Sequence, residues 1–225
     1  MIFDDSEFID NSEPRCPVVL LLDNSYSMSG DPIQELNKGI EVFKQDIQED
    51  SLASLRVETA IITFGGKVDM IQDFTTIDKF NPPQLSASGN TPMGKAIELA
   101  LDRVEDRKQI YKDNGIAPYQ PWIVLITDGQ PTDKWENAAK RVRQAARDRK
   151  LSFYAIAVKG ANMEILRQIA PSNTPPLILD GLKFQELFKW LSASVKSNSS
   201  EDPQIGKQVE IPIPPELNRW TETVA

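Results

Sequence analysis

Two stretches of the chain read as continuous apolar runs, Pro17 to Leu22 and Trp122 to Thr127, and each runs directly into an aspartate, Asp23 and Asp128. Uninterrupted apolar runs of this length predict strands buried on both faces of a parallel sheet. Elsewhere the apolar positions recur every three or four residues. Ile33, Leu36, Ile40, Phe43 and Ile47 predict a helix from Pro32 to about Glu49. Met93, Ala96, Ile97, Ala100, Leu101 and Val104 predict a second. Trp135, Ala138, Ala139, Val142 and Ala146 predict a third. A short helix is expected over Met163 to Ile169, and Phe184, Leu187, Phe188, Leu191 and Val195 mark a last one running to Lys196. Between these lie β-rich segments: Arg56 to Phe64, Val68 to Phe74, Phe153 to Val158 and Leu177 to Leu179. Gly65-Gly66 is a tight-turn signal that makes the first two an antiparallel hairpin, placed at a sheet edge.

Strands alternating with helices imply an α/β fold: a doubly wound, mostly parallel sheet with one antiparallel edge strand and helices on both faces. Three regions follow. Residues 1–15 are an acidic lead-in, 16–196 the domain, and 197–225 a linker and proline-containing tail. Within the tail, Ile211, Ile213, Leu217 and Trp220 are more apolar than a linker requires, so the segment either packs back on its own domain or docks on a partner.

Composition narrows the chemistry. A formal charge of −8 and a pI near 4.8 are wrong for a general nucleic-acid binder, which needs a basic footprint. The arginines at 141, 143, 147 and 149 read as a solvated helix face. No run approaches the roughly 18 apolar residues of a membrane helix. No secretory signal is visible before Pro14, and the single cysteine, Cys16, permits no internal disulfide; both fit a reducing, cytoplasmic setting. There is no histidine, which removes histidine-based triads, histidine-ligated zinc and histidine general bases.

In doubly wound sheets, ligands bind beyond the carboxyl ends of the strands where strand order reverses. Asp23 and Asp128 are both predicted there. Asp23 opens D-N-S-Y-S, so Asp23, Ser25 and Ser27 alternate along an extended loop and point at one centre. A third piece, S-G-N-T-P-M-G at 88–94, brings Thr91 to the start of a helix. Each residue has a duller use: Thr91 can cap the helix behind Pro92, Ser25 and Ser27 can cap the first helix, and Asp128-Gly129 can be a turn. Together they form an oxygen set suited to a hard cation such as magnesium, with neutral hydroxyls that do not cancel the ion's charge.

The three pieces in this order, D-N-S-Y-S, T-P-M-G and I-T-D-G, resemble the metal-ion-dependent adhesion site (MIDAS) of von Willebrand factor type A domains. The resemblance implies a metal site formed by Asp23, Ser25, Ser27, Thr91 and Asp128, holding Mg2+ with Mn2+ or Ca2+ as substitutes. It implies a non-enzymatic module whose protein partner supplies an Asp or Glu to the cation. The layout and T-P-M-G-K-A also resemble the bacterial, intracellular TerY-type branch associated with tellurite resistance. That branch is often encoded beside a protein kinase and a metal-dependent phosphatase, which are therefore the partners it implies. Two other readings stay open: a Mg-dependent phosphohydrolase with Asp23 as nucleophile, and a scaffold with a vestigial metal site. Neither a G-x-x-x-x-G-K-[ST] phosphate loop nor a G-x-S-x-G elbow is present.

Overall fold

The computed structural model describes Phe8 and residues 10–200. Six strands form one sheet: β1 (Cys16–Leu22), β2 (Val57–Gly65), β3 (Lys67–Thr76), β4 (Trp122–Thr127), β5 (Ser152–Ala157) and β6 (Leu177–Ile178). Their order is β3-β2-β1-β4-β5-β6, so the two uninterrupted apolar strands, β1 and β4, are neighbours at the centre. All pairings are parallel except β2 with β3, the expected edge hairpin. Strand order runs leftward from β1 to β3 and rightward from β4, and the reversal falls between β1 and β4.

Helices α1 (Asp31–Gln48), α2 (Ser51–Arg56), α3 (Met93–Asp113), α4 (Glu136–Arg147), α5 (Met163–Ile169) and α6 (Phe184–Ser200) cover the two faces. The alternation of strand side chains builds two separate cores. Val18, Leu20 and Leu22 of β1, with Val124 and Ile126 of β4, meet Phe43 of α1 and Phe188 of α6. Val19 and Leu21, with Ile123 and Leu125, meet Ala100 of α3 and Val142 of α4. Every residue of β1 and β4 is buried, which is why both read as unbroken apolar runs.

Two features depart from the sequence expectations. Helix α2 lies in a stretch with no helical pattern; its start is fixed by Asp50, whose carboxylate accepts from the amides of Leu52 and Ala53. Helix α6 continues past Lys196 to Ser200, where the Ser199 carbonyl accepts from Arg56 and Tyr119. Described residues of the lead-in, Phe8 and Arg15, pack against the sheet and α3. Glu58 of β2, 1 % exposed, accepts from Arg15 and Arg107 at 2.8–2.9 Å and from the Tyr111 hydroxyl. The Arg15 and Arg107 guanidinium groups lie 5.4 and 5.1 Å from the centre of the Phe8 ring, within cation–π range. Cys16 is the first residue of β1 and fully buried. The apolar tail residues 211, 213, 217 and 220 lie outside the described residues. Among the described residues no helix is long and apolar enough to cross a membrane.

Candidate metal centre

The register of β1 on β4 pairs Leu22 with Ile126, so the next residues, Asp23 and Thr127, emerge side by side. The Asp23 amide donates to the Ile126 carbonyl at 2.9 Å, and the Thr127 hydroxyl donates to Asp23 Oδ2 at 2.5 Å. Asp23 Oδ1 accepts from the Ser25 amide at 2.9 Å, an Asx-type turn that reverses the chain as it leaves the strand. A single 3-10 turn, Tyr26–Met28, then folds Ser27 back. Ser25 Oγ lies 2.9 Å from Ser27 Oγ, and Ser27 Oγ donates to Asp128 Oδ1 at 2.6 Å. Ser27 has one hydroxyl hydrogen and spends it on Asp128, so Ser25 supplies the hydrogen between the two serines.

Thr91 arrives from a different loop and stands beside Gly129. A Cβ on Gly129 would sit 3.0 Å from Thr91 Oγ1 and 3.4 Å from Asp23 Oδ2. The missing side chain is therefore what allows the Thr91 hydroxyl and the Asp23 carboxylate to face the same small volume. The loop before Thr91 is stitched to the first one: the Tyr26 amide donates to the Gly89 carbonyl at 3.0 Å, and the Ser88 amide to the Asn24 carbonyl at 2.7 Å. Gly89 has a φ of +68°, and a Cβ there would meet Gly66 Cα at 2.4 Å. Only glycine suits both its left-handed backbone and this approach.

All five sequence-predicted residues thus come to one place, at the strand-order reversal. The capping uses are not taken up, while Asp128 and Gly129 do lie at a bend after β4. Ser25, at the N-cap of the 3-10 turn, makes no side-chain cap bond, and Gly30 rather than a serine precedes α1. Pro92, not Thr91, occupies the N-cap position of α3. Two contributors were not singled out from sequence: Thr127, which holds Asp23, and Gly129, which makes room. Both stand in the I-T-D-G segment, so the signal was adjacent to Asp128 but carried no residue type that chemistry alone would select.

Asp23 is fully buried, Ser25, Thr91 and Asp128 are 2, 5 and 8 % exposed, and Ser27 is exposed. Burial raises the pKa of both carboxyl groups above the ordinary aspartate value. For Asp23, hydrogen bonds from Thr127 and Ser25 oppose that rise, and the Asp128 charge adds to it. Two carboxylates in a desolvated pocket surrounded by neutral hydroxyls form a charge arrangement that a divalent cation offsets. The donors are all oxygen, which suits magnesium, manganese or calcium better than a nitrogen- or sulfur-seeking ion. Among the described residues no group of three or more His, Cys, Asp or Glu side chains is placed to hold a metal, so a carboxylate-rich cage is not the design here. The residues fit a cation site of the hydroxyl-rich kind.

The family model for the von Willebrand factor type A domain matches residues 18–188. The chain belongs to the von Willebrand factor type A domain family. Matrilin-3 from Gallus gallus is 28 % identical over 122 residues, covering 52 % of this chain and 24 % of that protein. The chain thus spans about a quarter of that relative's length. Among solved structures, proximal thread matrix protein 1 from the mussel byssus, with a zinc-occupied MIDAS motif, matches with a TM-score of 0.54 at 18 % identity, over 81 % of this chain and 47 % of its own. Manganese-loaded TRAP protein from Plasmodium vivax matches with a TM-score of 0.52 at 19 % identity, over 78 % and 73 %. These two likenesses concern the fold, and in both neighbours that fold carries a divalent metal. In this von Willebrand A domain, Tyr26 stands between the two serines and is 71 % exposed, on the rim of the candidate centre.

Proposed function

We propose that this von Willebrand A domain is a metal-dependent protein-binding module. Asp23, Ser25, Ser27, Thr91 and Asp128 hold a divalent cation, Mg2+ by preference with Mn2+ or Ca2+ as substitutes. The observation that carries this reading is the hydrogen-bonded chain from Asp23 through the Ser25 amide and the Ser25 and Ser27 hydroxyls to Asp128, with Thr91 brought in across Gly129. When bound, the cation supplies an electrophilic position for a partner's Asp or Glu carboxylate. The chain's own residues do the rest. Neutral hydroxyls from Ser25, Ser27 and Thr91 leave the cation's charge largely uncancelled, and Thr127 orients Asp23. Outward-facing Ser27 and Tyr26 meet the incoming segment.

The phosphohydrolase reading is supported less well. Asp23 is fully buried, and both carboxylate oxygens already accept hydrogen bonds, from the Ser25 amide and the Thr127 hydroxyl. A nucleophile needs an accessible lone pair and a positioned general base. Among the finer expectations, the T-P-M-G-K-A segment supports a TerY-type role in a bacterial stress response such as tellurite resistance. In that role the partners would be a protein kinase and a metal-dependent phosphatase. A cytoplasmic setting is supported by the lone Cys16, buried and without a second cysteine to pair with. Capture on the immobilised chain in magnesium and in chelator, beside Ser25→Ala/Ser27→Ala, tests the module reading. A partner retained only by the wild type with magnesium, and lost when its own acidic residue is replaced, supports it. Equal capture in chelator contradicts it.

A further inference from the structure

Helix α3 starts without a cap of its own. Pro92 at its N-cap offers no side-chain acceptor, and the first-turn amides of any helix lack partners within it. Here those amides are met from far along the chain. Asp133 Oδ1 accepts from the Gly94 amide at 2.9 Å and Asp133 Oδ2 from the Lys95 amide at 2.8 Å. Asp133 lies in the segment that joins Asp128 to α4, and that segment touches the start of α3 at two further points. The Thr132 amide donates to the Thr91 carbonyl at 2.9 Å. At Gly94, a Cβ would lie 2.2 Å from the Lys134 carbonyl oxygen and 2.9 Å from Trp135 Cα, so the two backbones are in direct contact.

A threonine at the N-cap would turn its hydroxyl to the first-turn amides, but Pro92 holds that position and leaves them to another acceptor. A carboxylate is the stronger acceptor there, because its charge strengthens the hydrogen bonds and complements the helix dipole. With both oxygens of Asp133 on those amides, Thr91 is left to face Asp23 and Gly129. The same contacts fix the piece that carries Thr91 against the piece that carries Asp128. We propose that Asp133 is a positioning residue of the metal centre: by capping α3 from the neighbouring loop, it sets Thr91 against Asp128 and keeps the Thr91 hydroxyl for the cation. This rests on the metal-binding reading of the site.

The test is a Mn2+ titration of the full chain, followed by electron paramagnetic resonance of the free ion, for wild type, Asp133→Ala, Asp133→Asn and the control Lys134→Ala. Amide exchange at Gly94 and Lys95 is recorded in parallel. Loss of a group that orients metal ligands typically weakens affinity about 10–100-fold. A loss in that range is expected for Asp133→Ala, a smaller one for Asp133→Asn, which keeps one acceptor oxygen, and none for Lys134→Ala. If Asp133→Ala does not fold, Asp133→Asn decides by the same comparison. Faster exchange at Gly94 and Lys95 with Mn2+ affinity within two-fold of wild type would make Asp133 a helix cap and nothing more, overturning the proposal. A wild type that takes up no manganese overturns the metal reading itself, and the proposal with it.

Discussion

Asp23→Asn separates the two things that a buried carboxylate does at this site. Without a divalent cation, burial raises the Asp23 pKa, so the folded state holds that proton more tightly than the unfolded chain. A raised carboxyl pKa contributes stability only at acid pH, and that contribution is lost as pH rises through the folded value. At neutral pH the ionised group is therefore a cost, which asparagine removes at nearly constant shape, its oxygen kept for the Ser25 amide and its NH2 turned to the rotatable Thr127 hydroxyl. In chelator at pH 7, the variant is expected to be at least as stable as wild type. With cation the order reverses. A ligand at 100 times its dissociation constant adds about 2.7 kcal/mol to the state that binds it. One kcal/mol shifts Tm by about 2–4 °C for chains of roughly 150–250 residues, so wild type should gain about 5–11 °C in saturating magnesium or manganese. The variant, with one of its two charged donors neutralised, should gain little. Differential scanning calorimetry of both proteins, with chelator and with cation, measures all four values. An equal gain in wild type and variant would refute the assignment of Asp23. A variant clearly less stable than wild type in chelator would refute the electrostatic reasoning. Metal-dependent phosphatase turnover abolished by this substitution would favour the enzyme reading.

Other consequences test the frame around the site. Glu58→Gln leaves Arg15 and Arg107 without their buried counter-charge, and urea unfolding should show a loss of about 3–5 kcal/mol. Gly39→Ala would place a Cβ 2.4 Å from the Phe188 ring of α6. Overpacking of about 1–3 kcal/mol, offset by about 1 kcal/mol of helix propensity, should leave a net loss of up to about 2 kcal/mol by the same method. Burial pushes the Cys16 thiol from 9.0 up to about 12. Stability from this group is complete below pH 9 and falls as the unfolded thiol ionises, by about 1.4 kcal/mol per pH unit towards 12. Cys16→Ala should therefore show a flatter stability profile between pH 9 and 11; parallel profiles would remove the thiol from the account.

The sheet was legible because β1 and β4 lie at its centre. Burial on both faces forces an unbroken apolar run, and the run ends where the chain must become polar, at Asp23 and Asp128. The two core faces of α1 and α6 were legible for the same reason, since helical spacing survives wherever one side is buried. Helix α2 was not, because six residues with Ala53 and Ser54 as their buried positions show no period. The Asp50 cap was the one available signal. Long-range polar pairing left no local trace either. Glu58 meets Arg15 and Arg107 across 43 and 49 residues, and Asp133 reaches Gly94 across 39. Within the candidate site, the converging oxygen side chains could be chosen by residue type and spacing. Thr127 and Gly129 could not, since their roles depend on the register of β1 against β4 and on the space beside Thr91.

In the proposed centre, the hydroxyls of Ser25, Ser27 and Thr91 and the carboxylates of Asp23 and Asp128 surround one divalent cation. Anomalous scattering from crystals grown with manganese tests it most directly. One strong manganese peak is expected, enclosed by these five side chains and absent from crystals of Ser25→Ala/Ser27→Ala. Manganese bound elsewhere on the chain, or a peak that survives the double substitution, would contradict it.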